Sequence, residues 1–337
     1  MQDPTRLIQN NRLRCKFEKN NTVLFFSLVD YRNNLFTSNE PEKILEFYNG
    51  FDNRDQLIQW MKERPKGVSY IHEVEGNKDI IVVIPTADFN GKYAKECRDN
   101  IFKGLHMIFV ESGGKDDIYF NYAHNCNVGI KRAMEYSPKW VVVSNDDMIK
   151  IDDVSKLREE LDSVENNAYL IWTDESTYHS YILSIRENNL IGKAISHLSS
   201  AFLKVKADSY YANTFYIRKK FSINYFALTK RNGLIYRSSN KIRDVRITSS
   251  FSILSYLPLE KLQCNVFDEA YINGYEDIDL SLTFADVKSD HKPIKYHIDD
   301  MVGSTLGLNL QRTYRDFVNT VYFNHKISEK ILKISMN

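Results

Sequence analysis

From Lys78 onward, short apolar runs alternate with amphipathic stretches, and this rhythm restricts the chain to a sheet crossed over by helices. KDIIVVIPT is a short run dominated by β-branched residues, as expected of a strand buried on both faces. A helical segment follows, GKYAKECRDNIFK, with Ala94, Cys97 and Ile101 on one face. HMIFV then reads as a strand, residues 121–136 as a helix, WVVVS as a strand, residues 153–164 as a helix and AYLIW as another strand. Such alternation implies crossover units, so the expected fold class is α/β: a Rossmann-like, mainly parallel sheet flanked by helices. Ligands of these sheets bind at the carboxyl ends of the strands, which decides where to look for chemistry.

The chain has 337 residues, enough for one large domain with additions or for two domains. Its 45 Lys plus Arg nearly balance 44 Asp plus Glu, so no global basic field argues for nucleic acid. An anionic substrate would have to be held locally, by a metal or a few side chains. Cys15, Cys97, Cys126 and Cys264 are scattered without a C-x-x-C pair, which fits neither the common zinc patterns nor a disulfide framework. There is no signal-peptide core and no apolar run of about 18 residues, so a soluble, cytoplasmic protein is expected.

Residues 1–77 read as a separate small extension. Residues 39–49 look helical, with Pro41 inside the start and Gly50 as a stop signal. A second helix starts at Asn53, with Gln56 placed as in a capping box, and presents Leu57, Ile58, Trp60 and Met61. The main α/β domain is expected to span 78–305 and a C-terminal amphipathic segment 306–337. Residues 175–250 have no clean period and read as irregular structure with some strands, covering one side of the site.

Three successive strands deliver polar residues to one rim: Pro85-Thr86-Ala87-Asp88, then Glu111-Ser112-Gly113-Gly114, then Asn145-Asp146-Asp147. Strands must end in turns, and these are turn formers. A turn needs only one acid, however, and two adjacent carboxylates repel each other. A divalent cation with hard oxygen ligands, Mg²⁺ or Mn²⁺, would remove that repulsion, which marks Asp147 as a metal ligand. No G-x-G-x-x-G follows the first strand, and Gly114-Lys115 lacks the rest of a P-loop.

A second acidic cluster, FDEAYINGYEDIDL, opens a helix expected over Asp277–Phe284. The helix dipole favours carboxylates there, but capping accounts for only one of Glu276, Asp277 and Asp279. A carboxylate at a helix start aimed into a cleft suits general-base work on a hydroxyl. A third cluster is Lys295-Tyr296-His297, followed by Gly303-Ser304-Thr305.

Taken in order, these segments resemble the inverting nucleotide-sugar glycosyltransferases of family 2, which have the GT-A fold. IIVVIPT looks like the opening strand of that family, and IFVESGGKDD is similar to its second strand and loop. NYAHNCNVGIKRA resembles the helix over the nucleoside, SNDDM the D-x-D metal motif, and YEDIDL the stretch bearing the catalytic base. YHIDDMVGST resembles the later segment whose His completes the metal site. Asn145 stands where the first acid of D-x-D belongs. The resemblance covers most of residues 80–326, with a poor stretch near 165–245.

The resemblance implies a nucleotide-diphosphate sugar as donor and Mn²⁺ or Mg²⁺ held by Asp147 and His297. Pro85, Thr86, Asp88, Glu111, Asn121, Asn145 and Asp146 would bind the nucleotide. Asp277 would act as base and Glu276 would orient the acceptor or support the base, while Asp279 caps the helix. The acceptor would be a glycan, a lipid-linked molecule or a protein. Two alternatives stand beside this reading: a nucleotidyltransferase that makes sugar nucleotides, and a catalytically inactive nucleotide-sugar-binding module. The C-terminal stretch Leu310–Ser335 carries Tyr314, Phe317, Val318 and Val321 at helical spacing among basic residues. It either packs on its own domain or lies on a membrane surface near a lipid-linked acceptor.

Overall fold

The computed structural model of the chain describes residues 31–112, 117–164, 170–173, 180–187, 226–229, 241–285, 294–301 and 310–335. Gly113, Gly114 and Gly303-Ser304-Thr305 lie outside this set.

The two N-terminal helices form where expected. Helix α1 (Pro41–Asn49) has its proline at the start and buries Ile44, Phe47 and Tyr48. Helix α2 (Arg54–Glu63) is capped by Asn53, whose side chain accepts the Gln56 N–H at 3.0 Å. Gln56 reaches back one residue beyond the usual box and accepts the Asp52 N–H. Phe47 sits at the centre of an aromatic cluster with Phe36, Tyr48, Phe51 and Trp60.

The central sheet has six strands in the order β1-β3-β2-β4-β10-β6. These are β1 (Tyr70–Val74), β2 (Asn77–Thr86), β3 (Leu105–Glu111), β4 (Trp140–Ser144), β6 (Leu170–Ile171) and β10 (Phe251–Ser255). β2 pairs in parallel with β3 and β4, whereas β1 and β10 run antiparallel to their neighbours. The result is an α/β fold with a mixed, mostly parallel sheet. Two details differ from the sequence reading. β1 lies in the sheet, so a boundary at residue 77 separates it from β3, the strand it pairs with. β10 enters antiparallel between β4 and β6, because the chain returns from the 175–250 region along the β4 edge.

Period-two alternation divides the strands between two cores. Ile80, Val82, Ile84, Met107, Phe109, Trp140 and Val142 share one cluster. Helices α3 (Lys92–Glu96) and α5 (Val154–Asp162) cover it. Ile81, Val83, Ile108, Val110, Val141 and Val143 share the other with α4 (Tyr122–Met134) and α7 (Glu276–Ala285). Burial on both faces is why these strands read as unbroken apolar runs. The helix expected after β2 is α3 followed by one wide turn, Cys97–Ile101, closed by the Phe102 N–H to the Cys97 carbonyl.

Helix α4 approaches the sheet at Gly129. A Cβ there would lie 2.3 Å from Val83 Cγ1 and 2.9 Å from Val110 Cγ2. Gly129→Ala is therefore expected to lower stability by about 1–3 kcal/mol through overpacking, read as a reduced urea midpoint with an unchanged slope.

A short ribbon joins β5 (Met148–Lys150) to β11 (Ile298–Asp300). Strands β7 (Ser180–Glu187), β8 (Phe226–Thr229) and β9 (Lys241–Thr248) form a separate antiparallel sheet in the order β8-β7-β9. A short helix, α6 (Tyr256–Lys261), follows β10.

The last helix, α8 (Leu310–Ser335), buries Tyr314, Phe317, Val318, Val321, Tyr322, Phe323 and Ile327. They share one core with α1, α2 and the loop before α7. The N- and C-terminal segments, expected as separate additions, thus form one helical layer. The apolar stripe through Ile327 is consumed in that packing and is not available to a membrane surface.

Candidate functional site

The β2, β3 and β4 ends converge as the parallel arrangement requires. Thr86 closes β2 and is buried, and its hydroxyl donates to Asp146 Oδ2 at 2.6 Å. This bond ties the first strand end to the third. Burial pushes the Asp146 carboxyl up to about 6, and the neighbouring Asp147 adds to the rise while the Thr86 hydroxyl opposes it. Asp147 is itself buried. Asp88 is exposed, and its backbone and carboxylate shape the turn through Asn90 and Gly91. Pro85 lies in β2, opposite Val110 of β3.

The acidic helix start reaches the same rim through Tyr122, at the start of α4. Its hydroxyl donates to Asn145 Oδ1 at 2.8 Å. Burial raises the Tyr122 phenol well above its usual range, and Glu276 and Asp277 both contribute. The Tyr122 backbone N–H donates to Asn273 Oδ1 at 2.9 Å, so Tyr122 touches both the β4 loop and the loop before α7. Asp277 Oδ1 accepts the Ile278 N–H at 2.8 Å. Glu276 is buried, and Asn273 and Tyr275 just before it have φ values of 55° and 71°. Left-handed backbone at a bulky residue such as Tyr275 is uncommon and clusters at functional sites.

Asparagines hold this strained segment from both sides. Asn127 Oδ1 accepts the N–H groups of Val266 and Phe267, and its amide donates to the Phe267 carbonyl. Asn319 of α8 makes the same paired contact with the N–H and carbonyl of Ile272. Lys326 bonds Asp268 at 2.7 Å and Asp279 at 2.6 Å. Asp279 is thus the partner of a lysine on α8, and not a cap for its own helix.

Several expected residues sit differently from the sequence reading. Asn121 caps α4 by accepting the His124 N–H, and its amide donates to the carbonyls of Glu269 and Tyr271. Its side chain is spent on these bonds within the protein. Glu111 lies 2.8 Å from His72 Nε2 of β1 and also faces the Phe89 N–H. His72 stacks on Phe89 with ring centroids 4.4 Å apart. Glu111 therefore begins paired, because β1 supplies a neighbour that the sequence did not place.

His297 does not join Asp147. The ribbon register sets Met301 against Asp147, through a 2.9 Å backbone bond, while the Asp152 N–H bonds the His297 carbonyl. Four residues of strand correspond to roughly 13 Å. The His297 ring instead lies 2.8 Å from Asp152. The residue that the register does bring toward the loop is Asp300. It pairs with Met148 and accepts a bond from Ser250, whose carbonyl receives the Asn145 N–H. The doublet Asp299-Asp300 was its only sequence signal.

Among the described residues, no group of three or more His, Cys, Asp or Glu side chains is arranged to hold a metal ion. Asp146 and Asp147 are adjacent carboxylates of the hard-oxygen kind that Mg²⁺ takes beside substrate phosphates and water, and Asp147 adds to the rise of the Asp146 carboxyl.

The fold and the rim together define an α/β protein with one acidic centre at the carboxyl end of β4 and another at the start of α7. No protein-family model, curated protein or solved structure matches the chain.

Proposed function

We propose that the chain is a metal-assisted, inverting glycosyltransferase of GT-A type that moves a sugar from a nucleotide-diphosphate donor to an acceptor hydroxyl. The observation that carries this reading is Tyr122, whose hydroxyl donates to Asn145 in the loop of Asp146 and Asp147 and whose N–H donates to Asn273, in the loop that leads to Glu276 and Asp277. A transfer reaction needs these two functions side by side: a place for the departing diphosphate and a base for the arriving hydroxyl.

Asp146 and Asp147 would hold a divalent cation, which when bound stabilises charge on a leaving diphosphate. Thr86 orients Asp146, and Asn145 lies beside it as a neutral contact for ribose or phosphate. Asp277 takes the proton of the acceptor hydroxyl as it attacks the anomeric carbon from the face opposite the leaving group. One displacement gives inversion.

The test is a thermal-shift titration of UDP, GDP, dTDP and CDP, each with and without Mn²⁺. A ligand at 100 times its dissociation constant adds about 2.7 kcal/mol of stability. At least one nucleotide is expected to raise Tm only with the cation, and Asp147→Ala to remove both effects together. Cation binding requires ionised carboxylates, so the shift should grow as pH rises through about 6, where Asp146 loses its proton. If no nucleotide shifts the melt, the reading falls.

A further inference from the structure

β1 is an edge of the central sheet. Among the described residues it pairs on one side only, with β3, in an unbroken antiparallel register from Tyr70–Glu111 to Val74–Met107. Its other side presents a row of backbone N–H and C=O groups. The side chains along that row are apolar and open: Val68, just ahead of the strand, is 66% exposed, Tyr70 60% and Ile71 42%. Natural sheet edges are usually guarded by a lysine, a proline, a bulge or an inward charge. β1 has no lysine, proline or bulge, and its one acid, Glu73, is turned onto Arg132 at 2.6 Å. An edge of this kind is a template for another strand.

We infer that β1 pairs antiparallel with β1 of a second copy of this chain, about a two-fold axis at Ile71, joining the two central sheets edge to edge. The register follows from symmetry. A two-fold axis that relates antiparallel strands stands normal to the sheet, so side chains keep their face and only residues of like parity oppose one another. An axis at His72 would set Ile71 against Glu73 and the two imidazoles against each other. An axis at Tyr70 would set Val74 against Lys66. An axis at Ile71 opposes Ile71 to itself, Tyr70 to His72, Ser69 to Glu73 and Val68 to Val74, so apolar and aromatic side chains meet their own kind. Charge agrees with this pairing. Lys66 precedes the strand, whereas Glu73 and Glu75 close it, and Glu75 stays 77% exposed beside Lys78. The antiparallel contact sets that basic start against that acidic end twice. A foreign strand would have to match this order; a second copy supplies it by symmetry.

The contact also reaches the rim. His72 lies 2.8 Å from Glu111, at the carboxyl end of β3, and stacks on Phe89. Tyr70 of the second copy would lie beside His72. The inference stands apart from the transfer chemistry and needs no donor or metal.

The test is sedimentation equilibrium of the full chain from micromolar concentration upward. Wild type is expected to form a dimer and no larger species, because a two-fold contact closes on itself. Ile71→Lys, which places like charges at the axis, should raise the dissociation constant at least about tenfold, with far-UV circular dichroism unchanged. Ile71→Cys under mild oxidation should cross-link two copies, since opposed Cα atoms in such a pair lie about 4.5–5.5 Å apart. Glu73→Cys should not, because its counterpart lies four residues along the second strand, roughly 13 Å away. Wild type oxidised in parallel controls for the native cysteines.

The proposal is overturned by a wild type that stays monomeric, by open-ended assembly, by an Ile71→Lys dimer as tight as wild type, or by cross-linking at position 73 that equals that at 71. If Ile71→Lys does not fold, the two cysteine variants decide the matter.

Discussion

Asp277→Asn is expected to lower glycosyl transfer by about 10²–10⁴-fold while leaving binding of nucleoside diphosphate and Mn²⁺ unchanged. Asparagine preserves the shape and can still accept the Ile278 N–H that Asp277 bonds at 2.8 Å, but it cannot take a proton. The helix start should persist, since loss of one favourable charge–dipole contact costs about 0.3–1 kcal/mol. Removing the Asp277 charge also removes one cause of the upward displacement of Glu276, so that group should ionise at lower pH in the variant. Single-turnover transfer measured beside donor titration separates the two effects. Near-normal transfer would sink the assignment of Asp277 as base.

The second large effect lies away from the rim. Lys326→Met should destabilise the protein by about 2–4 kcal/mol, because it leaves Asp268 and Asp279 together without their shared cation. The cost falls short of that for a fully buried pair, since Lys326 keeps 24% and Asp268 28% side-chain exposure. The sign with pH follows from the directions of the shifts. Lys326, the Tyr322 hydroxyl and the Ala270 N–H outweigh burial and hold the Asp268 carboxyl below its usual range. Its contribution is therefore present above the unfolded carboxylate pKa and lost as pH falls. Lys326 is raised by the two acids despite its burial, so its contribution is lost at high pH. The gap between wild type and variant should be widest between about pH 4 and 10 and close on either side. Urea unfolding across pH measures it, and a constant gap would mean the pair is not the cause.

This network ties the C-terminal helix to the segment that leads into α7. Asn319 and Lys326 reach from α8 to Ile272 and Asp268 in the loop before α7, and Lys326 also reaches Asp279 within α7. The backbone at Asn273 and Tyr275 is left-handed, so it depends on such external support.

Much of this organisation was legible in the residues. Apolar runs with period-two alternation located β2, β3 and β4, and Pro41, Asn53 and Gly50 marked helix ends, because these signals depend on local sterics and capping. Strand ends located Thr86, Asn145, Asp146 and Asp147 for the same reason: in a parallel sheet, position along the strand already tells which rim a residue reaches. The sequence could not tell that β1 would pair with β3 and offer His72 to Glu111. It could not tell that Asn121 would turn inward, or that one ribbon register would bring Asp300 and not His297 toward the β4 loop. Pairing register, and the sharing of Lys326 between Asp268 and Asp279, arise between segments far apart in the chain. Local propensity determined the elements and their polar ends; only tertiary packing decided which of those ends would meet.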